Sequence, residues 1–158
     1  MKILFVCTGN ICRSPLAEGI LRDKLEKSGI QAEVDSAGLE EFHAGDPPDD
    51  RAILTAKKRR IDISGHRARL FSAKDFDRFD RIYVMDSYHY LTLSEMSRKE
   101  DDMRKIDYTM NLVSPGKNLP VRDPWYDGMN AFELVYEQLD RACEKLAETI
   151  SSLVNAGR

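Results

Sequence analysis

Four consecutive residues near the start of the chain, Ile3-Leu4-Phe5-Val6, are apolar with nothing polar between them. A strand with one wet face alternates polar and apolar side chains. This run does not alternate, so both of its faces need cover. Strands of that kind belong to parallel sheets with helices packed on either side. The residues that follow fit the same plan. Ser14-Pro15 suits a helix start, with Ser14 as N-cap and Pro15 in the first position. Leu16, Ile20, Leu21 and Leu25 form an apolar stripe, and Gly29 is a natural stop. A second strand is expected to begin at Val34, near "EVDSAG", and a third at "RIYVM" (81–85). Between them Asp49 opens the helical stretch "DDRAILTAKKRRI" behind Pro47-Pro48, and a polar helix is expected from Ser87 to about Arg98. A fourth strand is placed within 106–113. The last helix has the plainest pattern: Phe132, Val135, Leu139, Ala142, Leu146, Ile150 and Leu153 recur at helical spacing, with Asn130 and Glu133 fitting a capping box.

These elements predict an α/β fold. A central four-stranded parallel sheet carries helices on both faces, in the Rossmann-like manner, and a phosphate-binding loop follows the first strand. The 158 residues suffice for one domain, 1–158, and there is no repeat or linker to divide them. A net charge of −3 gives no bulk drive toward nucleic acid or an anionic membrane. The N-terminal apolar run is too short for a signal peptide, and no run reaches the roughly 20 residues of a membrane helix. Three cysteines, Cys7, Cys12 and Cys143, do not make a secreted disulfide framework. The chain therefore reads as cytoplasmic, with secretion left open.

Ligands of such sheets bind at the carboxyl ends of strands, and Cys7 ends the first one. In "VCTGNICRSP" (6–15) a strand stops, a short loop turns and a helix begins. The first amides of a helix have no intrahelical acceptor, and its dipole adds positive potential. Gly9 and Asn10 tolerate the left-handed backbone that a concave loop of N–H groups requires. Arg13 adds a planar fork that grips two oxygens of a phosphate. A helix N-terminus and a cation also favour the thiolate of Cys7, and Ser14 can donate to its sulfur. Cys-x5-Arg is thus chemically apt as a phosphatase loop that needs no metal or other cofactor. It is not a Walker loop, because the Gly-Lys-Ser/Thr ending is absent.

Expelling an alcohol or phenol from phosphorus calls for an acid, and breaking the resulting phosphocysteine calls for a base. The breaker-rich stretch "PVRDPWYDG" (120–128) supplies Asp123 and Asp127 around two large aromatics, Trp125 and Tyr126. Spacing alone does not choose between the two aspartates. The aromatics can wall a flat aryl substrate.

With both loops in view, the sequence resembles the low-molecular-weight protein tyrosine phosphatases over nearly its whole length. "VCTGNICRSP", "DSAG" (35–38), "PPDDRA" (47–52), "GHRAR" (65–69), "VMD" (84–86) and "DPWYD" (123–127) stand in that family's order and spacing. The resemblance implies hydrolysis of protein phosphotyrosine through a phosphocysteine. Cys7 would be the nucleophile, Arg13 the phosphate clamp and Asp123 the general acid and then base. Thr8, Gly9, Asn10, Ile11, Cys12 and Ser14 would line the loop, and Phe42, Trp125 and Tyr126 would form the aromatic rim. Asn10, Ser14, Ser36 and His66 match a hydrogen-bond network that supports the loop, and Asp86 matches a residue near the arginine. Trp125 departs from the family's usual pair of tyrosines. Cys12 matches a second loop cysteine that can pair with the nucleophile under oxidation; packing is an equal reading.

His66 reads as structural, His43 and His89 as surface residues, Cys143 as an inert core thiol and "KKRR" (57–60) as a solvated helix end. The histidines and cysteines lack zinc spacing. A thiol-dependent arsenate reductase resembles this family but needs relay cysteines, and none lies between Cys12 and Cys143. An arginine phosphatase on the same scaffold would carry threonine in place of Ile11 and a reduced rim. A mere phosphate-binding module would need neither Cys7 nor Asp123. The expected partners are an oxyanion in the loop and a tyrosine-phosphorylated protein: a bacterial tyrosine kinase of a capsule or exopolysaccharide system, another phosphoprotein or a secreted host target.

Overall fold

A computed structural model describes residues 1–157. Its four strands are β1 (Lys2–Cys7), β2 (Glu33–Gly38), β3 (Arg81–Val84) and β4 (Ile106–Tyr108). They pair in parallel in the order β2-β1-β3-β4. The chain leaves β1 for β2 on one side and then crosses to β3 on the other. The reversal of direction falls beside β1, where open α/β sheets bind ligands.

The helices are α1 (Arg13–Lys27), α2 (Asp50–Lys57), α3 (Lys74–Arg78), α4 (Ser87–Met96), α5 (Glu100–Arg104) and α6 (Met129–Ala156). They cover both faces. Ile3, Phe5 and Cys7 of β1 join one core cluster with α1, α2 and α6, while Leu4 and Val6 join a second with α3 and α4. Successive strand residues point to opposite faces, so an unbroken apolar run is what two cores require.

Several boundaries differ from the sequence reading. Helix α1 begins at Arg13 behind Cys12, and Ser14 does not cap it. The Ser14 hydroxyl is instead turned to the Cys7 sulfur. Helix α6 starts two residues earlier than an Asn130 cap would set it, behind Gly128, which has no side chain to cap it; Glu133 instead pairs with Arg59 at 2.5 Å and Lys58 at 3.2 Å. Those pairs tie the segment after α2 to α6; α2 itself ends at Lys57, short of the expected Ile61, and Arg60 takes a left-handed backbone with φ of 62°. The "KKRR" segment is therefore only partly a solvated helix end. Helix α4 stops at Met96, and β4 has three residues before a 3-10 turn, Thr109–Leu112. The five-residue helices α3 and α5 are too short to show a period. No helix among the described residues is long and apolar enough to cross a membrane.

Candidate active site

The loop after β1 is held from behind. Thr8 carbonyl accepts from the Leu39 and Glu40 amides at 2.8 and 3.1 Å, and Ile11 carbonyl accepts from the Asp49 amide at 2.9 Å. Gly38 ends β2 where a Cβ would meet Thr8 O at 2.9 Å and Asn10 Cβ at 3.0 Å. The sheet edge thus reaches the loop only because position 38 is glycine. Asn10 takes the left-handed conformation, with φ of 58°. Gly9 does not. It is small because the His43 ring lies 3.1 Å from where its Cβ would be. The amides of Gly9 to Ser14 have no protein acceptor among the described residues. They form a ring of donors at the N-terminus of α1, suited to an oxyanion.

A directional relay fixes the sulfur at the bottom of this ring. Asn10 Nδ2 donates to Ser14 Oγ at 2.8 Å and to Ser36 Oγ at 2.9 Å. Ser36 in turn donates to Glu18 at 2.8 Å. Ser14 Oγ, already an acceptor, has its own proton left for Cys7 Sγ at 2.9 Å. Asn10 Oδ1 accepts from the Arg69 amide and from His66 Nε2, both at 3.1 Å. His66 is thus a structural donor. Glu18, a buried carboxylate one helical turn after Ser14, closes the relay and was not foreseen. Its place on the Ser14 face of an expected helix was the available signal.

Arg13 is 2% exposed. Its Nη1 donates to Asp86 Oδ2 at 2.9 Å and to Val121 carbonyl at 2.8 Å. Its Nη2 lies 3.5 Å from Thr8 Oγ1 and 3.6 Å from Asp123 Oδ2. One nitrogen is anchored and the other faces the mouth. Burial opposes ionisation of Asp86, but the Arg13 guanidinium and the His89 backbone amide override it and hold the carboxyl below its ordinary range.

Asp123 is 43% exposed and accepts from the Trp125 amide at 3.0 Å. It shares a cavity of about 140 Å³ with Cys7, Thr8, Arg13, Glu40, His43, Trp125 and Tyr126, among others. Asp127 does not line that cavity; its carboxylate lies 3.4 Å from Arg122. Tyr126 is 90% exposed at the mouth. Phe42, expected on the rim, is 85% exposed and meets the His43 ring edge-on at 4.8 Å instead of lining the cavity. Ile11 and Cys12 do line it. Burial, Asp49 and Cys7 push the Cys12 thiol up, so it stays protonated.

Two histidines are not where the sequence placed them. His43 lines the cavity 5.4 Å from Trp125. His89 is fully buried, and its Nε2 lies 2.9 Å from Thr8 Oγ1. Cys143 is buried in the core, as expected, and burial pushes its thiol up. A thiol, a ring of free amides, a cation and a carboxyl therefore share one small cavity with an aromatic wall.

Comparison with known proteins agrees with this geometry. A family model described as low molecular weight phosphotyrosine protein phosphatase matches residues 2–156. The low molecular weight phosphotyrosine protein phosphatase of Schizosaccharomyces pombe is 38% identical, covering 88% of this chain and 90% of its own. Among solved structures, a protein tyrosine phosphatase from Entamoeba histolytica with Hepes in the active site superposes with a TM-score of 0.89. It is 33% identical and covers 96% of this chain and 97% of that one. A Drosophila arginine phosphatase superposes with a TM-score of 0.87 at 35% identity, covering 94% and 97%.

Proposed function

Because the chain belongs to the low molecular weight phosphotyrosine protein phosphatase family, we propose that its site hydrolyses protein phosphotyrosine with Cys7 as nucleophile, Arg13 as clamp and Asp123 as acid and base. The Cys7 thiolate attacks phosphorus, a sulfur–phosphorus bond forms and the phosphorus–oxygen ester bond breaks. The Asp123 proton passes to the departing phenol oxygen. Water then attacks phosphorus and gives its proton to Asp123 as the sulfur–phosphorus bond breaks, which regenerates the Cys7 thiolate and releases inorganic phosphate. The loop amides and Arg13 stabilise the equatorial oxygens in both steps, a scheme that assigns no role to a metal.

One observation carries this reading: the Cys7 sulfur, positioned to accept a hydrogen bond from Ser14 Oγ at 2.9 Å, lies in the cavity that also holds Asp123, 3.6 Å from Arg13. A binding module has no use for that pairing. Ile11, Trp125 and Tyr126 on the cavity wall favour an aryl group. Glu40 on the same wall favours a second reading, a phosphoarginine whose guanidinium would meet its carboxylate. We assign the substrates to tyrosine-phosphorylated proteins, tyrosine kinases carrying their own phosphotyrosines included, and place this single-domain chain in the cytoplasm, where Cys7 stays reduced.

Phosphate release from a phosphotyrosine peptide, in chelator, tests the scheme. Wild type should turn over, and Cys7→Ser should bind vanadate without turning over. Activity of Cys7→Ser equal to wild type would end the covalent mechanism. Faster release from a phosphoarginine peptide would move the assignment to the second reading.

A further inference from the structure

Thr8 and His89 form a pair that the phosphatase scheme leaves unused. They are 81 residues apart, and Thr8 Oγ1 lies 2.9 Å from His89 Nε2. The direction of this bond follows from the other end of the ring. The backbone N–H groups of Met85 and Asp86 both point at His89 Nδ1 at 3.3 Å. Asp86 Oδ1 also lies 3.3 Å from Nδ1 but accepts the Tyr88 and His89 amides; the two amides aimed at Nδ1 need its lone pair, which assigns the ring proton to Nε2. His89 therefore donates to Thr8.

The hydroxyl of Thr8 has a second donor against it, Arg13 Nη2 at 3.5 Å. Two donors occupy the lone pairs of Oγ1 and leave its own proton to point elsewhere. Thr8 lines the cavity that holds Cys7, Arg13 and Asp123, so an anion on Arg13 Nη2 is the acceptor within its reach. Burial and the charge of Arg13 hold His89 at a pKa of about 4, with Asp86 working against them, which keeps the ring neutral through the working pH range.

We propose that Thr8 Oγ, oriented by the Nε2–H of His89, donates a hydrogen bond to the phosphoryl group gripped by Arg13. Thr8 is then a substrate-contacting residue and His89 a positioning residue. The proposal rests on the phosphatase reading for its substrate but makes its own demand on anion affinity.

The test measures kcat/KM on a phosphotyrosine peptide and inhibition by vanadate in four proteins beside the wild type. Thr8→Val keeps the shape and removes the hydroxyl. It should lower kcat/KM and weaken vanadate by about 10-fold or more, the range for a hydrogen bond to a charged group. Thr8→Ser should restore most of both. His89→Asn keeps an acceptor for the two amides but does not reach Thr8, and should show a smaller loss of both. In the double variant the losses should not multiply, because both substitutions remove one interaction.

A merely structural tie would lower thermal stability and leave vanadate affinity alone. Wild-type vanadate affinity in Thr8→Val, or fully multiplicative losses in the double variant, would overturn the proposal. If His89→Asn does not fold, Thr8→Val against Thr8→Ser decides. Vanadate binding by a wild type that is inactive on the peptide would refute the substrate assignment and still test the pair.

Discussion

Asp123 has one oxygen on the Trp125 amide and the other 3.6 Å from Arg13, and in the proposed scheme it protonates the leaving oxygen. Its proton matters in proportion to how poor the leaving group is. Asp123→Ala should therefore cost about 10²- to 10⁴-fold in kcat on a phosphotyrosine peptide and far less on an activated aryl phosphate. Equal losses on both substrates would remove Asp123 from the acid's role. His89 gives a second prediction, in stability. Its folded pKa of about 4 lies below the ordinary 6.5, so between those values the unfolded chain binds the extra proton. Stability should fall as pH drops from about 6.5 to about 4, by a few kcal/mol at most, and His89→Asn should flatten that slope in denaturant titrations. Residues of the site differ in how they show in the sequence. Cys7 and Arg13 are legible because a strand end, a loop and a helix start lie within one short stretch. His89 was misread as exposed because its partner Thr8 follows the neighbouring strand β1, 81 residues earlier in the chain, and a one-dimensional pattern carries no trace of that contact.

Elements meet at the site through Arg51, on the first turn of α2. Its guanidinium holds the Asp49 carboxylate with two bonds of 2.9 Å. It also donates to the carbonyls of Asp127 at 2.8 Å and Trp125 at 3.0 Å. The same group stacks 4.6 Å from the Phe132 ring centre at the start of α6. One side chain thus fixes the loop that carries Asp123 to the helix behind the phosphate cradle. Arg51→Ala should loosen that loop and lower kcat by about 10-fold on the poor leaving group, the class that needs a placed acid. Arg51→Lys should not rescue it, since a single ammonium cannot reproduce the planar fork. Unchanged kcat in Arg51→Ala would show that the loop places Asp123 unaided. "PPDDRA" was visible as a motif, but its mechanical purpose was not, because the carbonyls it serves lie about seventy residues on. The long helices and buried strands were legible through their periods. Helices α3 and α5, and the short β4, offered too few residues for a period to form.

The whole molecule has two cores but one sheet between them, and β1 contributes alternate side chains to each. Neither core can lose its packing while β1 stays in place, so unfolding should be a single cooperative transition. The site is built into that unit. Arg13 on α1 binds Asp86 after β3 and Val121 before the Asp123 loop, and the Cys7–Arg13 loop is pinned through the Thr8 carbonyl to Leu39 and Glu40, just after β2. An anion in the cradle therefore binds the folded state alone. At 100 times its dissociation constant, phosphate or vanadate adds about 2.7 kcal/mol. For a chain of this length that is about 5–10 °C in Tm. Trp125 is the sole tryptophan and stands on the cavity wall, so its fluorescence reports the acid loop while circular dichroism reports the helices. The two melting curves should coincide and shift up together with the anion. A fluorescence transition that precedes loss of helix would show the Asp123 loop opening on its own. The acid would then have to be brought into place by the substrate and would not be waiting for it.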